Sequence, residues 1–244
     1  MPELPEVETV RRGLERHVVG RRVGRVEVGR DRTVRRTSPE AVIHGLTDTT
    51  ILAANRRGKY LLLPLDSGDE VMIHLRMSGQ LLVVAAGSPR PAHTHVVLHL
   101  DPPLDAHERH ELWFVDPRTF GEVVVFDPTR VEVEVPELAR LGIDPIADGL
   151  SLTTLRRILR ERRRLLKPLL LDQHHIAGIG NIYADEILHT ARLRPDRISN
   201  ELSPTSERRL HDAIHRILHE AIDAGGSTLG DAQYVDLFGA GGSY

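Results

Sequence analysis

The hydrophobic pattern of this chain changes once along its length. Between residues 22 and 127, short β-branched runs are separated by Gly, Pro or Asp, which is typical of strands. From residue 151 onward, apolar side chains such as Leu152, Leu155 and Leu159 recur at helical spacing. The sequence therefore predicts an α+β protein in which a sandwich or barrel-like β domain precedes a helical domain.

One further helix is expected before the first strand, over about residues 3–18, because Leu4, Val7, Val10 and Leu14 fall on one helical face. The boundaries follow from the pattern and from the Pro- and Gly-rich stretches. We expect a helix plus β-sandwich domain over 1–130, a linker with one short helical turn over 131–150, a helical domain over 151–224 and a Gly-rich loop over 225–244.

Composition limits the class of protein. The chain has 244 residues, of which 40% are apolar, enough to build real cores. No apolar run approaches the roughly 18 residues of a membrane span, and the acidic N-terminus does not resemble a signal peptide, so a cytoplasmic location is expected. The net charge of −3 means that any nucleic-acid binding must depend on local patches. The absence of cysteine excludes disulfides and thiolate zinc sites.

The first residues offer a possible nucleophile. Removal of Met1 would leave Pro2 as a terminal secondary amine, with the carboxylates of Glu3 and Glu6 one and four residues away. An α-amino group titrates near about 8, so part of it is the neutral nucleophile at neutral pH. On Pro2 and Glu3 alone, however, an ordinary helix start is the better interpretation, because both residue types suit a helix N-terminus.

Three loops between the predicted strands carry distinctive side chains. Lys59 stands where one β run turns into another, which fits either a cleft or a solvent-facing position. Met77 lies at a turn beside an arginine, and an exposed apolar tip of this kind suggests a wedge into a duplex. Arg118 and Phe120 lie two residues apart at another turn, where they could fill a gap in a duplex or form an ordinary salt-bridged turn.

The helical half begins with a cationic run. The segment contains one acid, Glu161, and seven cations: Arg156, Arg157, Arg160, Arg162, Arg163, Arg164 and Lys167. We favour phosphate contacts over a solvated surface as the explanation of this excess. The Gly-rich turn that follows, with Asn181 at its end, opens a helix whose free N–H groups would suit a phosphate oxygen.

The spacing of several histidines would in principle allow them to bind a metal ion. His93 lies two residues from His95, and His211, His215 and His219 follow at helical spacing, but no HExxH-like motif accompanies them. Solvent-facing or hydrogen-bonded histidines are therefore expected, and no metal site.

Five segments in order, MPELPEVETVRRGL, RRGKYLLL, HLRMSGQL, DPRTFG and GIGNIYADE, resemble the bacterial formamidopyrimidine-DNA glycosylases of the Fpg/Nei family. The opening resembles the oxidised-purine branch more than the endonuclease VIII branch. The resemblance implies an N-terminal β-sandwich, a C-terminal helical domain with a helix-two-turns-helix element, and damaged double-stranded DNA bound in the cleft between them by a monomer.

The resemblance also implies roles for individual residues. Pro2 would be the nucleophile, Glu3 the acid that protonates the opening sugar, Lys59 a second catalytic cation, and Glu6 a support for the sugar and the amine. Met77, Arg118 and Phe120 would fill the gap in the duplex. The remaining matched positions would lie near the DNA backbone, the lesion or the lesion loop: His74, His93, Arg163, Lys167, Asn181, Tyr183, Ser227 and Thr228.

The implied activity is removal of oxidised or ring-opened purines through a Schiff base at Pro2, followed by β/δ-elimination at the abasic site. The family carries one zinc in a C-terminal four-cysteine finger whose ligands are absent from this sequence, so we expect either a truncated form or a zinc-less relative. Gly230 and Thr119 stand where basic residues are common, which leaves base preference open. Two alternatives remain: an oxidised-pyrimidine glycosylase of endonuclease VIII type, or a non-catalytic binder of damaged DNA.

Overall fold

A computed structural model describes residues 1–102, 108–161, 163–228 and 234–244. Helix α1, Leu4–His17, begins the fold, with Glu3 as its N-cap and Pro5 in its first turn, where proline loses no hydrogen bond. Its buried face carries Val7, Val10 and Leu14. The helix predicted at the N-terminus is confirmed.

Two four-stranded antiparallel sheets follow. The strands are β1 Val23–Val28, β2 Asn55–Arg57, β3 Tyr60–Pro64, β4 Glu70–His74, β5 Gln80–Ala85, β6 Thr94–Leu100, β7 His110–Val115 and β8 Glu122–Phe126. One sheet has the order β1-β6-β7-β5 and the other the order β2-β3-β4-β8. The predicted sandwich is confirmed.

The core between the sheets is apolar and closed at one side by α1. Ile73 of one sheet and Phe114 of the other belong to the same buried cluster as Val10 of α1. Full burial of such a side chain contributes about 1.5–3 kcal/mol. The sandwich and α1 are thus one packed unit, which fixes where the first residues of the chain lie.

The β pattern predicted over residues 51–65 is interrupted in the structure. Strands β2 and β3 form a hairpin whose two turn residues are Gly58 and Lys59, since Arg57 pairs with Tyr60. Gly58 has φ +58°, a conformation that disfavours other residue types. Lys59 therefore stands at the tip of a tight turn.

The structure contains several short helices that the sequence pattern did not predict. Helix α2, Pro39–Leu46, begins after the N-cap Ser38 and packs against β1 and β8. Residues 128–149 contain a 3₁₀ turn, Pro128–Arg130, helices α3 Val131–Glu134 and α4 Pro136–Ala139, and a π-helical turn, Pro145–Gly149. This stretch therefore has more local structure than the predicted linker with one helical turn.

The second half of the chain is helical, as predicted. It comprises α5 Leu152–Glu161, α6 Leu166–Leu171, α7 Asn181–Ala191, a 3₁₀ turn Ser199–Glu201, and α8 Pro204–Asp223. Leu4 of α1 belongs to the core of these helices, whereas Val7 belongs to the sandwich core. The first turn of α1 therefore lies between the two halves. Among the described residues, no helix is long and apolar enough to cross a membrane.

Candidate active site

The carboxylate of Glu3 occupies the N-terminus of α7. It accepts hydrogen bonds from the backbone N–H groups of Gly180 at 2.7 Å, Ile182 at 2.9 Å and Tyr183 at 3.4 Å. The first N–H groups of a helix have no partner within the helix, and they favour an anion. The N–H groups predicted to suit a phosphate oxygen thus bind Glu3, the N-cap residue of α1, in this structure. Asn181 is exposed at the first position of α7.

The tight turn before α7 is matched to Glu3. A Cβ atom on Gly180 would lie 2.3 Å from Cδ of Glu3, closer than real Cβ contacts come. A Cβ atom on Gly178 would likewise lie 2.5 Å from Cδ1 of Leu4. The two glycines of the Gly-Ile-Gly turn therefore allow the start of α1 to dock against α7.

Glu6 is held by three donors from three segments. It accepts from the backbone N–H of Glu3 at 2.7 Å, the hydroxyl of Tyr183 at 2.5 Å and the backbone N–H of Ser227 at 2.8 Å. A Cβ atom on Gly226 would lie 2.8 Å from Glu6 Oε1, so this position also requires glycine. The segment predicted as the lesion loop is thus tied to the start of α1.

The position of Tyr183 differs from the prediction that it contacts DNA. Its side chain is fully buried, and burial together with the nearby Glu6 carboxylate raises the pKa of its hydroxyl, which stays protonated as a donor. Tyr183 supports Glu6 from inside the protein. The pattern of the Asn-Ile-Tyr segment gave no sign that the tyrosine points inward.

Lys59 joins this cluster as a buried cation. Its side chain is 7% exposed, and burial lowers the pKa of its amine, while Glu3 and Glu6 act to raise it. Burial raises the pKa of the Glu3 carboxyl, against the opposing effects of Lys59 and of the backbone donors. A raised carboxyl pKa favours the proton-donating form of Glu3, and a lowered amine pKa favours the neutral form of Lys59.

Pro2 lies immediately before this cluster. It is buried, whereas Met1 before it is 42% exposed. While Met1 is attached, the Pro2 nitrogen is an amide and not a nucleophile. Removal of Met1 would free it as a secondary amine at the N-terminal end of α1, next to Glu3.

The three residues predicted to enter the duplex lie together. The Arg118 guanidinium is 5.5 Å from the centre of the Phe120 ring, and its Nη2 is 3.6 Å from Sδ of Met77. Met77 and Phe120 are 37% and 41% exposed, and because both contact the same guanidinium they present adjacent apolar surface to solvent. They form an exposed cluster, called here the wedge: Met77, Arg118 and Phe120.

A buried aspartate shapes the turn that carries the wedge. Asp116 accepts from the backbone N–H of Gly121 at 2.7 Å, the backbone N–H of Arg118 at 3.2 Å and the hydroxyl of Ser78 at 2.5 Å. Thr119, in the same turn, has φ +54°. The turn is therefore fixed from within, while its tip faces outward.

The two predicted histidines occupy different environments. His74 is buried, and burial together with Arg76 lowers its pKa to about 3, so the ring is neutral. Its Nδ1 accepts the backbone N–H of Arg76 at 2.9 Å. His93 is exposed, with φ +66°, and its carbonyl accepts the N–H of Asp116 at 3.0 Å. His93 therefore lies beside the wedge turn.

The cationic run of the helical half serves partly as internal structure. Arg156 and Arg160 both bind the carboxylate of Glu207, at 2.9 Å each, and Glu207 is 2% exposed. These two arginines join α5 to α8, so part of the cationic run also serves the fold, while phosphate contact by the run stays a prediction. Arg162 lies outside the described residues.

Two cations proposed for DNA contact remain accessible. Arg163 has 69% of its side chain exposed and pairs with Glu201 at 3.2 Å. Lys167 pairs with Asp185 at 2.7 Å, with 25% of its side chain exposed. Surface pairs of this kind contribute little, about 0–1 kcal/mol, so a phosphate could displace the acids.

The lesion-loop residues lie at the base of the C-terminal segment. Thr228 Oγ1 donates to the carbonyl of Tyr234 at 3.1 Å and accepts the N–H of Gly242 at 2.8 Å. Gly230, which the sequence analysis connected with base preference, lies within residues 229–233, outside the described part of the chain. Within that described part, no group of three or more His, Cys, Asp or Glu could hold a metal ion.

A buried charge network beneath the site was missed from the sequence. Arg56 donates to Glu8 Oε2 at 3.0 Å and to Asp144 Oδ2 at 2.5 Å. Arg56 precedes the lysine turn by two residues, and Asp144 lies in the segment interpreted as a linker. No spacing rule connects positions 88 residues apart, so only the fold brings them together.

Comparisons with known proteins agree with this geometry. Residues 1–123 match the family model of the Formamidopyrimidine-DNA glycosylase N-terminal domain, and residues 141–233 match that of the Formamidopyrimidine-DNA glycosylase H2TH domain. A formamidopyrimidine-DNA glycosylase of Salinispora arenicola is 44% identical over 248 aligned residues, covering 100% of this chain and 83% of the relative.

Solved structures give the same result. A complex between Lactococcus lactis Fpg and DNA containing an abasic site has a TM-score of 0.86 and 34% identity, covering 99% of this chain and 84% of that one. A complex of the same wild-type protein with DNA containing an oxidised pyrimidine has a TM-score of 0.85 and 34% identity, covering 99% and 85%. The fold and site define a two-part enzyme with a helix-two-turns-helix element. The chain belongs to the formamidopyrimidine-DNA glycosylase family.

Proposed function

We propose that this member of a family of DNA-repair glycosylases removes oxidised and ring-opened purines, 8-oxoguanine and formamidopyrimidine, from double-stranded DNA, and then cleaves the strand at the abasic site. The observation that carries the proposal is the convergence of Glu3, Glu6 and Lys59 at the start of α1, directly after Pro2. Membership in the family supports the substrate class.

The first chemical step is attack by the free secondary amine of Pro2 on C1′ of the damaged nucleotide. The bond between C1′ and the base breaks, and the base leaves with the bonding electrons and takes up a proton. Glu3, whose carboxyl pKa is raised, gives its proton to the ring oxygen as the sugar opens. The product is an iminium ion between the Pro2 nitrogen and C1′.

The iminium ion then drives strand cleavage. Its positive nitrogen acidifies C2′, and loss of a proton there expels the 3′ phosphate in a β-elimination. A second, δ-elimination releases the 5′ phosphate, and water hydrolyses the iminium to restore the amine. The Lys59 ammonium, close to Glu3 and Glu6, would stabilise the phosphate charge that develops.

The wedge would support extrusion of the lesion. A base inside a duplex is out of reach of the amine, so the nucleotide must leave the stack, which costs a few kcal/mol. The exposed Met77 and Phe120 would fill the gap, and Arg118 would contact the orphaned base. His74, His93, Arg163, Lys167 and Asn181 are proposed near the DNA backbone or lesion, and Ser227 and Thr228 in the lesion loop.

A second candidate function is removal of oxidised pyrimidines. The Lactococcus lactis relative in complex with oxidised-pyrimidine DNA favours including it. Cleavage of 8-oxoguanine and thymine glycol duplexes by the same preparation, measured in single turnover, distinguishes the two. We further propose that the protein acts as a cytoplasmic monomer, with a β-sandwich domain over 1–130 and a helical domain over 151–224.

Borohydride trapping tests the chemistry. Wild-type protein with free Pro2, incubated with an 8-oxoguanine duplex and borohydride, should form a covalent protein–DNA complex, and Pro2→Gly should lower the yield sharply. Thr9→Ser, an unrelated change on α1, is the matched control and should trap like wild type. A protein that binds the duplex in a salt-sensitive manner without trapping or nicking would be the non-catalytic binder instead.

A further inference from the structure

We propose that Asp144, in the segment between the sandwich and the helices, is a positioning residue for Lys59 and acts through the tip of the β2–β3 hairpin. The inference rests on the proposed function, because it concerns how Lys59 reaches the reacting sugar. Asp144 is fully buried, and its Oδ2 accepts the backbone N–H of Gly58 at 2.8 Å. The same oxygen accepts from Arg56 Nη1 at 2.5 Å.

Both polar groups of Gly58 are held by this pair of residues. Its N–H donates to Asp144, and its carbonyl accepts from Arg56 Nη1 at 2.9 Å. Strand β2 has three residues and lies at the edge of its sheet, so the ladder alone anchors the turn weakly. The conformation of the residue directly before Lys59 is therefore set largely by Asp144 and Arg56.

The hairpin tip also leans against the segment that docks α1. A Cβ atom on Gly58 would lie 3.2 Å from Cβ of Ala177 and 3.3 Å from the nitrogen of Gly178. The carbonyl of Gly178 accepts the backbone N–H of Leu4 at 3.1 Å, next to Glu3. A shift of the tip would therefore change the position of the Lys59 amine relative to the Glu3 carboxylate.

Asp144 is itself rigidly placed. Its backbone N–H donates to Asp148, and its Oδ1 accepts the N–H groups of Ile146 and Ala147, each at 2.9 Å. The preceding residue, Ile143, pairs with the loop before α7, since its carbonyl accepts the N–H of Ala177 at 2.9 Å. Asp144 thus transmits the position of the helical half to the lysine turn of the sandwich.

Activity measurements on Asp144→Asn give the first test. The amide keeps the shape but loses the charge that holds Arg56, and it has only one acceptor oxygen. Its NH2 group must therefore face either the donors of Gly58 and Arg56 or the N–H groups of Ile146 and Ala147. We expect the single-turnover rate on an abasic duplex to fall about 10- to 100-fold, with the Kd for an uncleavable tetrahydrofuran duplex changed less than about 2-fold. The matched control is Glu207→Gln, another buried acid bound by arginine, which should lose thermal stability without losing rate.

A double-mutant cycle separates positioning from general damage. If Asp144 acts through Lys59, Asp144→Asn should slow a Lys59→Ala protein by no more than about 2-fold, because the group it positions is gone. An equal slowing of the wild type and the Lys59→Ala protein would overturn the proposal. If Glu207→Gln slowed the wild-type protein as much as Asp144→Asn does, the proposal would also be overturned.

A spectroscopic readout keeps this inference separate from the proposed function. The chain has two lysines, Lys59 and Lys167, so protein grown with ¹³Cε-lysine gives two lysine signals, assigned with Lys167→Arg. Groups that face Lys59 electrostatically are Glu3, Glu6 and His74. Asp144→Asn should move the Lys59 signal, because the hairpin tip that carries Lys59 loses the hydrogen bonds that fix it, while the Lys167 signal stays unchanged.

The outcomes are distinct. A wild-type protein that neither traps nor nicks DNA refutes the proposed function, and the Lys59 signal still decides the role of Asp144. A Lys59 signal that is identical in wild type and Asp144→Asn overturns the positioning role even if the enzyme is active. Glu207→Gln should leave the Lys59 signal in place.

Discussion

Replacement of Tyr183 by phenylalanine tests whether the buried support of Glu6 stabilises the site. The change removes one oxygen and leaves the ring, which is fully buried in the helical core. Glu6 would keep the N–H groups of Glu3 and Ser227 as donors but lose the hydroxyl at 2.5 Å.

The structure gives the expected size of this effect. A hydrogen bond to a charged acceptor contributes about 1.5–3 kcal/mol. With a urea m-value of about 2–3 kcal/mol per molar for a chain of this size, the midpoint of urea unfolding should fall by about 0.5–1.5 M with unchanged slope. Single-turnover base excision should slow as well, because Glu6 then depends on two weaker anchors.

Urea unfolding followed by circular dichroism measures the midpoint, and Tyr60→Phe is the matched control. Tyr60 is 8% exposed, and its hydroxyl makes no hydrogen bond to any described residue, so this change should leave the midpoint within about 0.2 M of wild type. A Tyr183→Phe protein with the wild-type midpoint and wild-type rate would refute the reasoning.

Three further predictions follow from the same contacts. Gly180→Ala should strongly reduce base excision, because its Cβ would lie 2.3 Å from Cδ of Glu3, and a single-turnover rate within 2-fold of wild type would contradict the packing. His74→Asn should reduce the loss of unfolding free energy at acid pH. Because the folded-state pKa of His74 is lowered to about 3, the wild type loses about 1.4 kcal/mol of unfolding free energy per pH unit as the pH falls from about 6.5 towards 3. The asparagine variant, measured by urea unfolding at several pH values, should lack that contribution. Phe120→Ala should weaken lesion extrusion, seen as less fluorescence from 2-aminopurine placed beside the lesion, with the urea midpoint unchanged because the ring is 41% exposed; unchanged fluorescence would exclude a wedge role.

Much of the fold was readable from local patterns, because they report burial directly. The short β-branched runs predicted the sandwich, the apolar face of α1 predicted the first helix, and both are present. Helix α2 was missed although Ser38 and Pro39 form a normal N-cap and first helical residue, because its eight residues make only about two turns, too few to show a helical period. Short helices packed by tertiary contacts leave a weak periodic signal.

The candidate site was predictable only where one segment carries the chemistry. Pro2, Glu3 and Glu6 are adjacent in the chain, and the wedge residues stand at recognisable turns. The partners of Glu3 and Glu6 come from residues about 180 and 220 positions away, including the backbone of Gly180 and Ser227. The Gly-rich turn indicated free N–H groups at the start of α7, but nothing in the sequence indicated that Glu3 would be their acceptor or that Ser227 would donate to Glu6.

The charge pattern did not show the structural partner of the arginines, for a related reason. A one-sided run of arginines looks like a phosphate-binding surface, yet Arg156 and Arg160 also bind a single buried acid from another helix. Glu207 lies 47 residues beyond Arg160, and nothing in its surroundings along the chain distinguishes it from a surface glutamate.

The most direct test of the central claim is to locate the covalent bond. Besides the terminal amine, the chain offers two amines for a borohydride-trapped adduct, Lys59 and Lys167. After trapping on an 8-oxoguanine duplex, proteolysis and mass spectrometry should find the sugar on the peptide that begins at Pro2. An adduct on either lysine, or none on a protein with a confirmed free Pro2, would contradict the account.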